Sequence, residues 1–310
     1  TFENNNAEFT RRSYFDVYPI RITDVNSSPI LVEGNKVTYS SLAQNNNNQV
    51  AIYVNNVRNL VISNNTLTGF ATGVRIGGGS RNIDVLGNTI TDADRFGVYV
   101  IGGQNYDIQE NIISNLTVAG VYLGNVRSQA RVTANQIEIG AYNNTFGIRY
   151  VVTSGTVVSA NVVLADNCVR NSFTAIQAQS NVANDIPVIR NNYLYNYQGH
   201  GLWSVGFTGS VGSCAGYPAN AGRNSFISNY LAPFGTALDV RSDNATLLVQ
   251  GNSANLVTNF PNVLVNTSCN TTSNTACGNQ IGNNEGGGRG AGLLTQMLMF
   301  QQIIEETYPM

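Results

Sequence analysis

Four stretches of this sequence end in the same way. They are LVISNN (residues 60–65), IDVLGN (83–88), YDIQEN (106–111) and ARVTAN (130–135), each a short alternating run that closes on Asn. An apolar residue follows two places later, at Leu67, Ile90, Ile113 and Ile137, and Gly69, Asp92 and Asn115 stand in the turn after it. A second alternating run then begins on Gly: GVRI (73–76), GVYV (97–100), GVYL (120–123) and GIRY (147–150). Asn65, Asn88, Asn111 and Asn135 are 23 to 24 residues apart. Self-similarity at that period marks a stack of identical supersecondary units. Period-2 alternation sends one side of each run inward. Three short strands per period close one coil, and coils must stack to bury their inward side chains.

The pattern continues with looser spacing. Asn35 opens it, and Asn167, Asn192, Asn224 and Asn252 extend it. The later Gly-type strands are AIQA (175–178), GLWS (201–204), ALDV (237–240) and NVLV (262–265). About nine coils are expected, with longer excursions near 139–160 and 204–223. The corner Asn suits a tight turn, because its side chain bonds its own backbone and it tolerates the left-handed region. Stacked at about 4.8 Å, successive amides can also bond to one another as a ladder. Asn65, Asn88, Asn111 and Asn135 are expected to form one.

These pieces resemble the right-handed parallel β-helix, or pectate-lyase-like, superfamily over roughly residues 30–266. The resemblance implies an all-β solenoid with the Asn corner between the second and third sheets. The Gly-type strands then belong to the first sheet, which carries the substrate groove in that superfamily. Residues 1–29 read as an N-terminal cap or arm, and 267–290 as a Ser/Thr/Asn/Gly-rich linker. Residues 291–310 read as a C-terminal amphipathic helix, since Leu293, Met297, Phe300 and Ile304 share one helical face. That helix is expected to cap the column or dock on a second subunit.

Composition narrows the function. Charged residues are 11% of the chain, Lys36 is the only lysine, and about one residue in seven is Asn. The net charge of −2 leaves no basic footprint for nucleic acid. No apolar run approaches the ~20 residues that span a bilayer. Cys168, Cys214, Cys269 and Cys277 contain no C-x-x-C pair, which argues against a zinc or redox site; Cys269 and Cys277 could close a short loop as a disulfide. Seven N-x-S/T sequons occur in so Asn-rich a chain mainly by composition. The chain opens at Thr1, which fits a mature or trimmed product. Scarce Lys, abundant Asn/Thr/Ser and an even cysteine count point to an extracellular or cell-surface location.

The outward position of the first-sheet strand runs Arg75, Tyr99, Tyr122, Arg149, Gln177, Trp203, Asp239, Leu264. Aromatic faces suit stacking on sugars and Arg suits carboxylates, so Arg75, Tyr99, Tyr122, Arg149, Trp203 and Asp239 are candidate carbohydrate contacts. His200, the only histidine, lies in Gly199-His200-Gly201 and resembles the G-H-G motif of polygalacturonase-type glycosidases. The aspartates that motif implies on the preceding strand are replaced by Thr174 and Ala175, and no Arg-x-Lys follows. Asp92 and Asp94 are the remaining candidate catalytic acids, and Asp84 with Asp107 should stack on adjacent coils. A lyase of this fold needs Ca2+ held by clustered acids, and no such cluster or other metal site is visible.

The balance favours a structural or adhesive solenoid that self-associates into a fibre or homo-oligomer. The alternative is a carbohydrate-binding protein, or an enzyme of the polysaccharide lyase or glycoside hydrolase type, using the first-sheet groove. Enzymatic activity is left open, leaning against.

Overall fold

The computed structural model describes residues 1–9, 16–26, 29–40, 49–140, 144–153, 161–179, 187–189 and 192 with their side chains; the remaining strands, ending at Glu285–Gly287, are described by their backbone. Regular structure among the described residues is entirely β-strand. One repeat reads Arg58–Ser63, Thr66–Thr68, Thr72–Gly77, and the next Arg81–Leu86, Thr89–Thr91, Phe96–Ile101. Each strand pairs in parallel with its counterpart one coil away, so the chain winds three long sheets. The second sheet precedes the Asn corner and the third follows it, with eleven strands each; the first, carrying the Gly-type strands, has ten.

The register stacks like on like. Val74, Val98, Val121, Ile148 and Ile176 lie in one inward row of the first sheet. Ile62, Val85, Ile108, Val132 and Leu164 form the row of the second sheet, and Leu67, Ile90, Ile113, Ile137 and Val169 that of the third. All are 0–1% exposed, and together they form one continuous apolar column. No coil could bury these side chains alone.

Gly73, Gly97, Gly120 and Gly147 stand second in their first-sheet strands, where a Cβ would collide with the third sheet. A Cβ on Gly73 would stand 2.5 Å from Ile90 Cγ2, and one on Gly120 would stand 2.4 Å from Ile137 Cγ2. The third-sheet side chain of the following coil therefore fills the space that a larger residue would need.

The expected Asn ladder is present and longer than expected. It runs Asn5, Asn35, Asn65, Asn88, Asn111, Asn135, Asn167, Asn192. In each link the Nδ2 of one Asn donates to the Oδ1 of the next at 2.8–3.0 Å. Nδ2 of Asn111 also donates to the carbonyls of Val85 and Gln109, and its backbone N–H donates to Asn135 Oδ1. The left-handed corner residue is not the ladder Asn, as the sequence suggested, but the one before it: Gly34, Asn64, Gly87, Glu110, Ala134 and Asp166 have φ of 55–64°. Placing the preceding residue in that region turns the chain, and leaves the ladder Asn free to point inward.

Other expectations change with the register. The coil stack already includes Phe2–Glu3, Asn6–Phe9 and Ile20–Thr23, within the segment read as a cap. Gln280–Ile281 and Glu285–Gly287, within the segment read as a linker, also join the sheets, so eleven strands stand where about nine coils were expected. Asn224 is not a corner residue: it begins the second-sheet strand Asn224–Ile227 and pairs with Leu247. The partner of Asp239 is Asn266, and Leu264 lies outside the described residues. The helix read at Leu293–Ile304 lies outside them too, as do Cys214, Cys269 and Cys277; Cys168 is a free thiol, half-buried on the third sheet.

Two substitutions test this account by chemical denaturation. Asn111→Ala leaves two carbonyls, the Asn88 donors and Asn135 Oδ1 short of partners, and should cost about 3 kcal/mol or more. Ala134→Gly relieves a left-handed alanine at an exposed corner and should stabilise by about 0.5–1 kcal/mol.

Candidate ligand-binding face on the first sheet

The outward first-sheet positions form one register row. Arg21 pairs with Tyr53, Tyr53 with Arg75, Arg75 with Tyr99, Tyr99 with Tyr122, and Tyr122 with Arg149. The row continues through Gln177, Trp203 and Asp239 as register partners. The structure thus brings Arg75, Tyr99, Tyr122, Arg149, Trp203 and Asp239 into line, and adds Arg21 and Tyr53. Arg21 was missed because residues 1–29 were read as an arm, and Tyr53 because its strand carries Ala51 where the others carry Gly, although IRIT (20–23) and IYV (52–54) show the same alternation.

The side chains of this row stack on one another. The guanidinium of Arg75 lies 5.9 Å from the Tyr53 ring centroid and 5.6 Å from that of Tyr99. Tyr99 and Tyr122 stack at 5.0 Å with 18° between ring planes, and Arg149 closes the series 5.8 Å from Tyr122. Arg21 sits near both Tyr18 and Tyr53, whose rings are 4.8 Å apart. Phe96, 4.7 Å from Tyr99, and Phe146, 4.5 Å from the Arg149 guanidinium, buttress the row from the neighbouring outward position. Burial pushes the Tyr122 phenol above its ordinary value, with Arg149 acting the other way.

This geometry alters what the row can do. Stacking on a sugar needs a free ring face, and here the faces of Tyr53, Tyr99 and Tyr122 are taken up by Arg and Tyr neighbours. What the row offers outward is ring edges, hydroxyls and guanidinium N–H groups. From Arg21 to Gln177 it contains no acid, and among the described residues Arg21, Arg75 and Arg149 form no ion pair. The row is a line of uncompensated donors and positive charge.

The candidate catalytic residues lie apart. Asp92 and Asp94 are exposed in the turn before Phe96–Ile101. Asp92 Oδ1 accepts from Asn115 Nδ2 at 2.9 Å, and the Asp94 carbonyl accepts from the Thr117 hydroxyl. His200 begins His200–Val205, four strand spacings along the sheet from Phe96–Ile101, about 19 Å. No group of three or more His, Cys, Asp or Glu gathers among the described residues, and no helix there is long and apolar enough to cross a membrane.

On the second sheet Asp84 and Asp107 are register partners, as expected, and Arg131 on the next strand bonds Asp107. Burial first, then the Asp107 charge, raises the Asp84 pKa, with Arg131 opposing.

Three parallel sheets wound by one repeating coil define a parallel β-solenoid. Residues 1–161 match the family described as "Right handed beta helix region", and the chain belongs to that family. No curated protein and no solved structure matches it.

The raised Asp84 pKa has a sign. The folded state holds this proton more tightly than the unfolded chain, so stability falls as pH rises through the window between the ordinary carboxylate value and the raised one. Asp84→Asn should be more stable than the parent at pH 7, with the gap closing as the pH is lowered through that window. Thermal midpoints of both proteins from pH 3 to 7 give the comparison.

Proposed function

We propose that this protein is a structural, adhesive β-solenoid displayed outside the cell, which holds an anionic glycan along its first-sheet row without turning it over. The observation that carries the reading is the continuous row of three Arg and three Tyr from Arg21 to Arg149, acid-free and without an ion pair among the described residues. A rigid column spaces its cations at multiples of about 4.8 Å, which suits a linear polymer lying along the axis. With the ring faces occupied, carboxylates are held by guanidinium and phenol groups rather than sugar rings by stacking. The composition that favours an extracellular setting supports the same reading.

Retention on immobilised polygalacturonate, against dextran as the neutral control, tests the binding. The parent should be retained on the anionic matrix and released by salt. The double variant Arg21→Ala, Arg75→Ala should lose about tenfold or more in affinity. Equal retention on both matrices, or no effect of the double variant, would overturn the reading.

Self-association through the coil ends and the 291–310 segment completes the proposal. Uncapped sheet edges invite pairing, and this segment carries the apolar residues Leu293, Met297, Phe300 and Ile304. Deleting 291–310 should convert oligomers into soluble separate protomers by light scattering. Aggregation instead would assign the segment to capping its own chain.

A further inference from the structure

The Arg–Tyr row changes character after Arg149. The side chains before it satisfy one another by stacking, and their exposure is partial. The next member, Gln177, is 3% exposed although it occupies the same outward position. Its Oε1 is shut off from solvent and accepts no hydrogen bond. Two neighbours share the condition. Arg149 Nε, on the adjacent strand in register with Gln177, has no acceptor, and Thr174 Oγ1, on the same strand as Gln177 and fully buried, has no partner. Ser172 Oγ, two residues before Thr174, is unpaired too; buried polar atoms are paired in all but a few cases, so such a group on and beside two neighbouring strands asks for a cause.

A second, independent observation falls at the same place. The chain has one histidine and one tryptophan. On the next strand, His200 is the register partner of Thr174, and Trp203 that of Gln177. Two residue types that occur once in the sequence thus fall at the register positions next to the two residues whose polar atoms lack partners. Phe146 and Arg149 lie on the other side, so two register columns run three strands deep: Phe146, Thr174, His200 and Arg149, Gln177, Trp203.

The structure assigns to Arg149, Thr174 and Gln177 a seat for a hydroxyl group of one sugar unit of the bound glycan. The inference rests on the glycan-binding reading and deepens it by locating where the polymer is gripped rather than merely attracted. The chemistry is specific. Arg149 Nε–H needs an acceptor, Gln177 Oε1 needs a donor, and the Thr174 hydroxyl can serve as either. An alcohol oxygen accepts from the first and donates to the second, which a carboxylate or a monatomic ion cannot do. The atoms are closed to solvent, so a sugar hydroxyl reaches them only as neighbouring side chains move aside. Capture by the exposed Arg row therefore comes first, and engagement of the seat follows more slowly.

The test uses Gln177→Met, which keeps length and removes the unpaired oxygen, with Thr174→Val as a second, nearly isosteric variant. Each is compared with the parent on oligogalacturonate by calorimetry, alongside its thermal midpoint. Removing an unpaired buried acceptor should leave the midpoint unchanged or raised, while affinity for the oligosaccharide falls about tenfold. A lowered midpoint with unchanged affinity would mean that an internal water already pairs these atoms, and would overturn the proposal. Unchanged affinity in both variants would overturn it as well. The Arg21/Arg75 double variant separates the two readings. If it loses binding and the Gln177 and Thr174 variants do not, the row binds and the seat is wrong. If the reverse holds, the seat stands and the row is wrong. A parent that binds no oligosaccharide removes both.

Discussion

A buried amide that finds its partner in the next coil is the interaction on which this molecule depends. Each ladder Asn gives its Nδ2 hydrogens to the next Asn and to backbone carbonyls, and receives at Oδ1 from the Asn before. Buried amides are costly unless paired, so the corner tolerates no slip of one coil against another. Everything else inherits that alignment. The inward apolar rows meet because the corners meet, and a one-residue slip would send every one of those side chains to the other face. The outward row exists for the same reason: nothing but register brings Arg75 beside Tyr99 and Tyr122 beside Arg149.

Much of this was legible in the residues. Alternation and the terminal Asn located the strands, the corner and the inward positions Ile62, Val85, Ile108 and Val132. The outward row was legible too, since period 2 fixes which residues share a face. The N-terminal rung was not. Asn5 follows a strand of only two residues and stands 30 residues from Asn35, so neither alternation nor the 23-residue spacing marks it. Asn224 was misplaced by the same dependence on Asn as a landmark, in a chain where Asn is too common to discriminate. The left-handed corner residue escaped because its identity varies from Gly to Asn, Glu, Ala and Asp, so only the backbone reveals it.

The site was less legible than the fold, for a physical reason. A one-dimensional pattern shows which side chains share a row, but not whether they are available. Tyr99 and Tyr122 looked like platforms for sugar rings; in the column they are each other's platform. The unpaired state of Gln177 depends on burial and on the failure of neighbours to reach it, neither of which spacing encodes. Asp92, Asp94 and His200 had no spacing rule to join them, and the sheet sets them far apart.

The ladder bonds hold one length while the chain between them does not. From Asn65 to Asn88 the detour is 23 residues, and from Asn135 to Asn167 it is 32, yet the linking bonds are 2.9 and 3.0 Å. The surplus falls in sequence between the strands, whose pairing with the neighbouring coils is kept. New peptide can therefore be spliced into such a turn as a cassette, leaving the neighbouring cassettes untouched. A lineage built this way can exchange what it shows to its surroundings at single turns while the frame behind them stays the same, and an engineer could graft there on the same terms.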